Sequence, residues 1–143
     1  VGIELTSLVD LYLRVSTDKQ VDGYSLDTQK AALLNYCRKA QIKVYNIYVD
    51  AGVSGKSIEN RPEILELLKD AKNGCFGQVL CLRLSRISRR LADLLHIVEL
   101  LDQQNVKLHS LTEDLQTDTP VGKLVFKMID AVAENERRKI PRT

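Results

Sequence analysis

Leu11-Tyr12-Leu13-Arg14-Val15-Ser16-Thr17-Asp18-Lys19-Gln20 is the stretch on which the reading of this chain turns. An apolar run from Leu8 alternates as a strand does, then meets Arg14 and Ser16 and breaks into polar residues. A serine hydroxyl just past a strand end, two residues from a permanent positive charge, suits a nucleophile aimed at a phosphate. The guanidinium stays protonated at working pH and can fork onto phosphate oxygens. Arg-x-Ser at a strand end is common, however, and a serine there is more often a turn or helix-capping residue. The pattern sharpens with a second stretch, Arg83-Leu84-Ser85-Arg86-Ile87-Ser88-Arg89-Arg90, and with Ser54-Gly55 and Arg61-Pro62 between the two.

Outward from that stretch, strand and helix patterns alternate. The spacing predicts a first strand over Leu8–Val15 and others over 44–49, 79–84 and 106–111. Between them, Leu26, Leu33, Tyr36, Cys37 and Ala40 give one helical face, with Ser25 as its cap and Asp27 in the first turn. Ile64, Leu65, Leu67, Leu68 and Ala71 give a second, with Asn60 as N-cap, Pro62 early in the helix and Asn73-Gly74 as its stop. Leu91, Leu94, Leu95, Val98 and Leu101 form a third, and Pro120 opens a last helix running to about residue 139. This order argues an α/β domain with a mainly parallel sheet. In such a sheet Ser16, Asp50, Arg86 and Glu113 each lie just beyond the carboxyl end of a different strand, the edge where ligands bind.

Bulk properties restrict function without naming it. The 143 residues suit one domain with a sizeable core. A formal net charge of +2 is too small to argue nucleic-acid binding, so any such claim rests on where the arginines fall. No apolar run reaches membrane-spanning length, and no leader pattern opens the chain, so no membrane partner is expected. Cys37, Cys75 and Cys81 lack C-x-x-C spacing, which argues a reduced, cytosolic setting with neither disulfide nor zinc. The acidic residues show no clustered spacing for a divalent cation, which disfavours a two-metal nuclease. His96 falls in a helix pattern and His109 in a strand, with no partner spaced to make a triad.

The four pieces, Tyr12-Leu13-Arg14-Val15-Ser16, Ser54-Gly55, Arg61-Pro62 and Arg83 to Arg90, resemble in order and separation the catalytic domain of the serine recombinases. These are the resolvases, invertases, large serine integrases and transposases, and the resemblance runs from about Val9 to Ile140. It implies a resolvase-like α/β fold, a relative of the flavodoxin-like folds, with helices on both faces of the sheet and a long last helix. Residues 1–7 would be a variable or non-native start, 8–119 the catalytic core, and 120–143 the long helix, beyond which relatives continue into a DNA-binding region. The polar loop over 18–24 is closer to the large recombinases than to the small resolvases.

The same resemblance implies DNA cleavage and rejoining through a 5′-phosphoserine bond to Ser16, with no cofactor and no metal. Arg14, Arg86, Arg89 and Arg61 would neutralise the phosphoryl oxygens. Gln29 and Asp27, within Ser25-Leu26-Asp27-Thr28-Gln29, match an S-x-D-x-Q segment lining the site, and Glu136-Arg137 matches an acidic-basic pair on the long helix. Each of these has a plain alternative as helix-surface polarity. The partners implied are DNA and further copies of the chain, as dimers pairing into a tetramer, in the cytoplasm of a bacterium or a phage host. The last helix agrees, since Val121, Leu124, Val125, Met128, Ile129, Val132 and Ala133 cover more than one side.

Two departures stand out. Relatives often carry an aspartate where this chain has Ser85, and D-T-x-T-P where it reads Gln116-Thr117-Asp118-Thr119-Pro120. Two other function classes use the same strand edge: a non-catalytic flavodoxin-like phosphate- or nucleotide-binding domain, and a phosphohydrolase with a serine intermediate. Against the first, no Gly-rich phosphate loop follows the first strand.

Overall fold

The computed structural model describes residues 8–15, 26–51 and 61–138, the side chains of 15, 51 and 136–138 excepted. Its strands are β1 (Leu8–Val15), β2 (Lys43–Ala51), β3 (Gln78–Cys81), β4 (Lys107–Ser110) and β5 (Leu115–Gln116). Its helices are α1 (Leu26–Ala40), α2 (Pro62–Lys72), the single turn α3 (Leu84–Ile87), α4 (Leu91–Gln103) and α5 (Pro120–Arg138). The sheet runs β2-β1-β3-β4-β5, its first four strands parallel and β5 antiparallel to β4.

Strand β1 organises both halves of the core, because its alternate side chains leave opposite faces. Val9, Leu11 and Leu13 join Leu80 of β3 and meet Leu33 and Cys37 of α1. Tyr12 points the other way, into a larger cluster with Tyr48, Ile64 and Leu67, Val79 and Cys81, and the buried side of α4. The sheet is thus covered by α1 on one face and by α2, α4 and α5 on the other, as the α/β reading requires.

Strand ends differ from the sequence pattern in an informative way. The apolar stretch 79–84 is a strand only to Cys81, after which Leu84–Ile87 closes a helical turn, with the Ser88 amide donating to the Leu84 carbonyl at 3.2 Å. Apolarity alone cannot separate these two states, because Leu82, Leu84 and Ile87 are buried in either. The stretch 106–111 pairs only over Lys107–Ser110, and the two-residue strand β5 carried no period long enough to read.

Helix α2 is capped otherwise than expected. Its N-cap is Arg61, which makes no side-chain cap bond, and Asn60 lies outside the described residues. The cap comes from the strand before the helix: Asp50, at the end of β2, accepts from the Glu63 and Ile64 amides at 3.0 Å each. At the other end Gly74 takes the left-handed backbone (φ 74°) expected of a glycine that stops a helix. The cap expected from Ser25 on α1 also lies outside the described residues.

Helix α5 has two apolar sides. Phe126 and Ala133 are buried in the main core, with Ile129 packed against it. Gly122 sits so close to β5 that a Cβ would lie 1.8 Å from the Gln116 carbonyl oxygen, so only glycine lets the helix dock there. The opposite side leaves Val121, Leu124, Met128 and Val132 between 48% and 64% exposed.

Candidate active site

Residues at the carboxyl edge of the sheet and at the start of α2 converge. Strand β1 delivers Arg14 beside Asp50 of β2, its partner in the parallel register. The segment after β3 delivers Arg86, and the start of α2 delivers Arg61. All three guanidinium-bearing residues are buried, Arg14 and Arg61 completely. A buried charge is costly unless it is hydrogen-bonded, and here main-chain carbonyls supply much of the pairing.

Arg14 donates through Nε to the Arg86 carbonyl at 3.1 Å and through Nη2 to the Ser85 carbonyl at 2.7 Å. Arg86 returns the contact, its Nη1 donating to the Arg14 carbonyl at 3.3 Å. Arg61 reaches the same turn, with Nη2 3.1 Å from the Arg86 carbonyl. The turn Leu84–Ile87 is therefore the acceptor on which two arginines from other elements are aligned.

A second set of contacts runs through Tyr12. Its hydroxyl accepts from Arg61 Nη2 at 2.6 Å and Nε at 3.1 Å, and donates to Asp50 at 2.8 Å. The Arg61 guanidinium carbon also lies 5.2 Å from the centroid of the Tyr12 ring, a cation–π distance. Burial, and after it the neighbouring Asp50 charge, hold the Tyr12 phenol above its ordinary range, against the opposing pull of Arg61. The hydroxyl stays protonated and keeps its donor for Asp50.

The charges of the cluster act on one another. Burial first, then the positive charge of Arg61, and more weakly those of Arg89 and Arg86, push Arg14 below its ordinary value. Among the described residues Arg61 Nη1 is buried and has no hydrogen-bond partner. A concentration of cationic donors with one buried N–H unmatched is the electrostatic form of an anion site.

The remaining expectations sort as follows. Gln29 is buried and donates through Nε2 to the Arg14 carbonyl at 3.3 Å, and among the described residues its buried Oε1 has no partner. Asp27 is exposed in the first turn of α1. Arg89 is exposed beside the cluster, Arg90 is exposed, and Arg83 is half-buried. Ser16 lies outside the described residues, as does the Ser54-Gly55 loop, and the side chains of Glu136 and Arg137 are likewise not described. Ser85 is exposed, and the contact it makes to Arg14 uses its carbonyl. His96 is an exposed helix residue, and His109 is buried on β4, edge-on to Tyr36.

Sequence reasoning placed Asp50 and Glu113 at the carboxyl edge and Tyr12 within its motif, but gave none of them a role in the site. Asp50 is one residue short of the end of β2 and Glu113 lies past the end of β4, whereas Tyr12 is three residues short of the end of β1 and is tied to the site by its hydroxyl contacts to Arg61 and Asp50. No group of three His, Cys, Asp or Glu side chains among the described residues could hold a metal ion. No helix there is long and apolar enough to cross a membrane.

Comparison with known proteins fits this geometry. The family described as "Resolvase, N terminal domain" matches residues 9–142. A putative DNA recombinase of Bacillus subtilis is 36% identical over 134 residues, 93% of this chain but 26% of the relative. The transposon Tn3 resolvase of Escherichia coli is 34% identical, over 90% of this chain and 63% of its own length. The chain thus spans from about a quarter to under two thirds of these relatives. Among solved structures, the N-terminal catalytic domain of TP901-1 integrase superposes with a TM-score of 0.83 at 34% identity, covering 92% of this chain and 97% of that one. The chain belongs to the resolvase N-terminal domain family, that of the serine recombinase catalytic domains.

Proposed function

We propose that this chain is the catalytic domain of a site-specific serine recombinase, which cleaves and rejoins DNA through a covalent bond between Ser16 and a 5′ phosphate. Ser16 Oγ attacks a backbone phosphorus. The O–P bond forms as the P–O3′ bond breaks, the serine proton is lost, and the departing 3′ oxygen takes up a proton. Because the phosphodiester energy is kept in the phosphoserine, the reverse attack by a 3′ hydroxyl rejoins strands without ATP. Arg14, Arg61, Arg86 and Arg89 carry the electrostatic work, holding the non-bridging oxygens while charge moves between attacking and leaving oxygens. Gln29 and Asp27 line the same edge, and Glu136 and Arg137 are supporting residues on α5.

The observation that carries this reading is the buried cluster of Arg14, Arg61 and Arg86, with Arg61 Nη1 unmatched among the described residues, at the end of the strand that leads in sequence into Ser16. A non-catalytic phosphate-binding domain accounts for the cationic cluster but gives no role to the serine that follows Arg14 by two residues. Incubation with nicked or phosphorothiolate-containing site DNA distinguishes the two. A covalent adduct mapping to Ser16, lost in Ser16→Ala while DNA binding persists, is expected; a band that persists in Ser16→Ala overturns the assignment.

The assembly we propose is a homodimer that pairs into a tetramer on DNA. It is supported by the apolar side of α5 at Val121, Leu124, Met128 and Val132, which the domain itself leaves uncovered. The 120–143 segment is read as the long helix that follows the 8–119 core.

A further inference from the structure

The turn Leu84–Ile87 aligns two arginines, yet it is only four residues long and has no side-chain cap of its own. The Arg83 N-cap position makes no such bond. The amide that opens the turn is instead held from another element. Glu113, in the turn between β4 and β5, accepts the Leu84 N–H on Oε1 at 2.9 Å. The same carboxylate oxygen accepts from the Ser110 hydroxyl, which is fully buried at the end of β4.

The platform carrying Glu113 is anchored to the same segment. The Leu111 amide donates to the Cys81 carbonyl at 3.0 Å and the Thr112 amide to Leu82 at 2.9 Å, which extends the β3–β4 ladder past both strands. Asp114 then takes a left-handed conformation (φ 51°), which short polar residues tolerate, and the chain reverses into β5. Glu113 is thus placed by its main chain, and Ser110 orients its carboxylate.

We propose that Glu113 is a positioning residue for the phosphate-binding arginines, acting through the Leu84–Ile87 turn. The inference rests on the recombinase reading. Its carboxylate fixes the front of the turn. The Ser85 and Arg86 carbonyls at the centre of the turn then stand where Arg14 and Arg61 meet them, at 2.7 to 3.1 Å. Small displacements of catalytic groups are expensive in rate, which is why a residue outside the site can matter to it.

The test measures covalent adduct formation by the full-length protein carrying Glu113→Ala, Glu113→Gln, Ser110→Ala, Arg86→Ala, or Arg86→Ala with Glu113→Ala. Glu113→Ala is expected to slow the adduct by roughly 10-fold or more, as misplacement of a reacting arginine does. Glu113→Gln retains an acceptor oxygen and recovers most of the rate, and Ser110→Ala falls between the two. In the Arg86→Ala background Glu113→Ala costs less than in wild type, because one of the three arginines that the turn positions is gone while the Ser85 and residue-86 carbonyls still align Arg14 and Arg61. A general fold defect would instead lower both backgrounds equally, and equal losses overturn the proposal. So does wild-type adduct formation that Glu113→Ala and Ser110→Ala leave unchanged. Absence of any wild-type adduct at Ser16 overturns the recombinase reading itself, and this proposal with it.

Discussion

Arg14 and Arg86 hold one another through their main chains: each guanidinium donates to the other's carbonyl oxygen, at 3.1 and 3.3 Å. Two guanidinium groups from distant parts of the chain are thereby kept adjacent by main-chain acceptors. The arrangement costs electrostatic repulsion, which a bound phosphate would relieve. We expect Arg14→Ala and Arg86→Ala each to lower cleavage by roughly 10²-fold or more. The double variant should lose less than the product of the two, because each change also undoes the other's alignment. Single-turnover adduct assays read both, and strictly multiplicative losses would show that the two act independently.

The same repulsion makes the domain sensitive to anions in the absence of DNA. Phosphate or sulfate that binds the folded cluster stabilises it by mass action, by about 2.7 kcal/mol at one hundred times its dissociation constant. The melting temperature should therefore rise with phosphate concentration, and rise less in Arg61→Ala. A chloride series at equal ionic strength controls for screening. An identical response in wild type and variant would remove the evidence for a discrete anion site.

Tyr12→Phe isolates the contact between Arg61 and its orienting hydroxyl. The ring stays for the cation–π contact, but the buried guanidinium and Asp50 both lose a partner. Leaving such groups unmatched costs about 1–3 kcal/mol. Chemical denaturation should show that loss, and adduct formation should fall with it. Unchanged stability would mean that water replaces the hydroxyl.

Ser85→Ala tests the position where relatives often carry an aspartate. The side chain is exposed and Arg14 takes the carbonyl, which alanine retains. Cleavage should therefore change by less than about tenfold, roughly 1.4 kcal/mol. A loss equal to that of Arg86→Ala would give the hydroxyl a part in the chemistry.

Asp10 gives the fold a pH dependence away from the site. It is fully buried on β1, and among the described residues neither carboxylate oxygen has a partner at hydrogen-bond distance. Burial, with the nearby Asp70 charge adding, pushes it up to about 8, against a weaker opposing pull from the Asn46 amide. A raised carboxyl means that the folded state holds the proton more tightly than the unfolded chain. Its contribution is full below the ordinary value of 3.8 and is lost as pH rises through about 8. The slope within that window is at most about 1.4 kcal/mol per pH unit. Asp10→Asn should match wild type near pH 4 and become the more stable of the two toward pH 8, measured by urea unfolding. A constant difference across that range would show that Asp10 is ionised throughout.

Much of this protein was legible in one dimension. Strand β1 was readable to the residue because alternation and burial coincide there: Val9, Leu11 and Leu13 face α1 while Tyr12 faces the larger core. The parallel order of the sheet follows from the alternation of strands and helices. The two faces of α5 were also visible, since Val121, Leu124, Met128 and Val132 recur at helical spacing. Arg14, Arg61 and Arg86 could be picked out by their motifs.

What tertiary structure alone decided is how those residues are held. The acceptors for Arg14 and Arg61 are the carbonyls of Ser85 and Arg86, and main-chain groups leave no mark in side-chain identity. Among the described residues the side-chain cap of α2 comes from Asp50 on β2, twelve positions before the helix begins. The brace on the Leu84–Ile87 turn comes from Glu113, 29 positions further along. Sequence periodicity records which face of an element is buried, because burial repeats with the period of that element. It carries no record of a hydrogen bond between two elements, which depends on where the sheet brings their ends together.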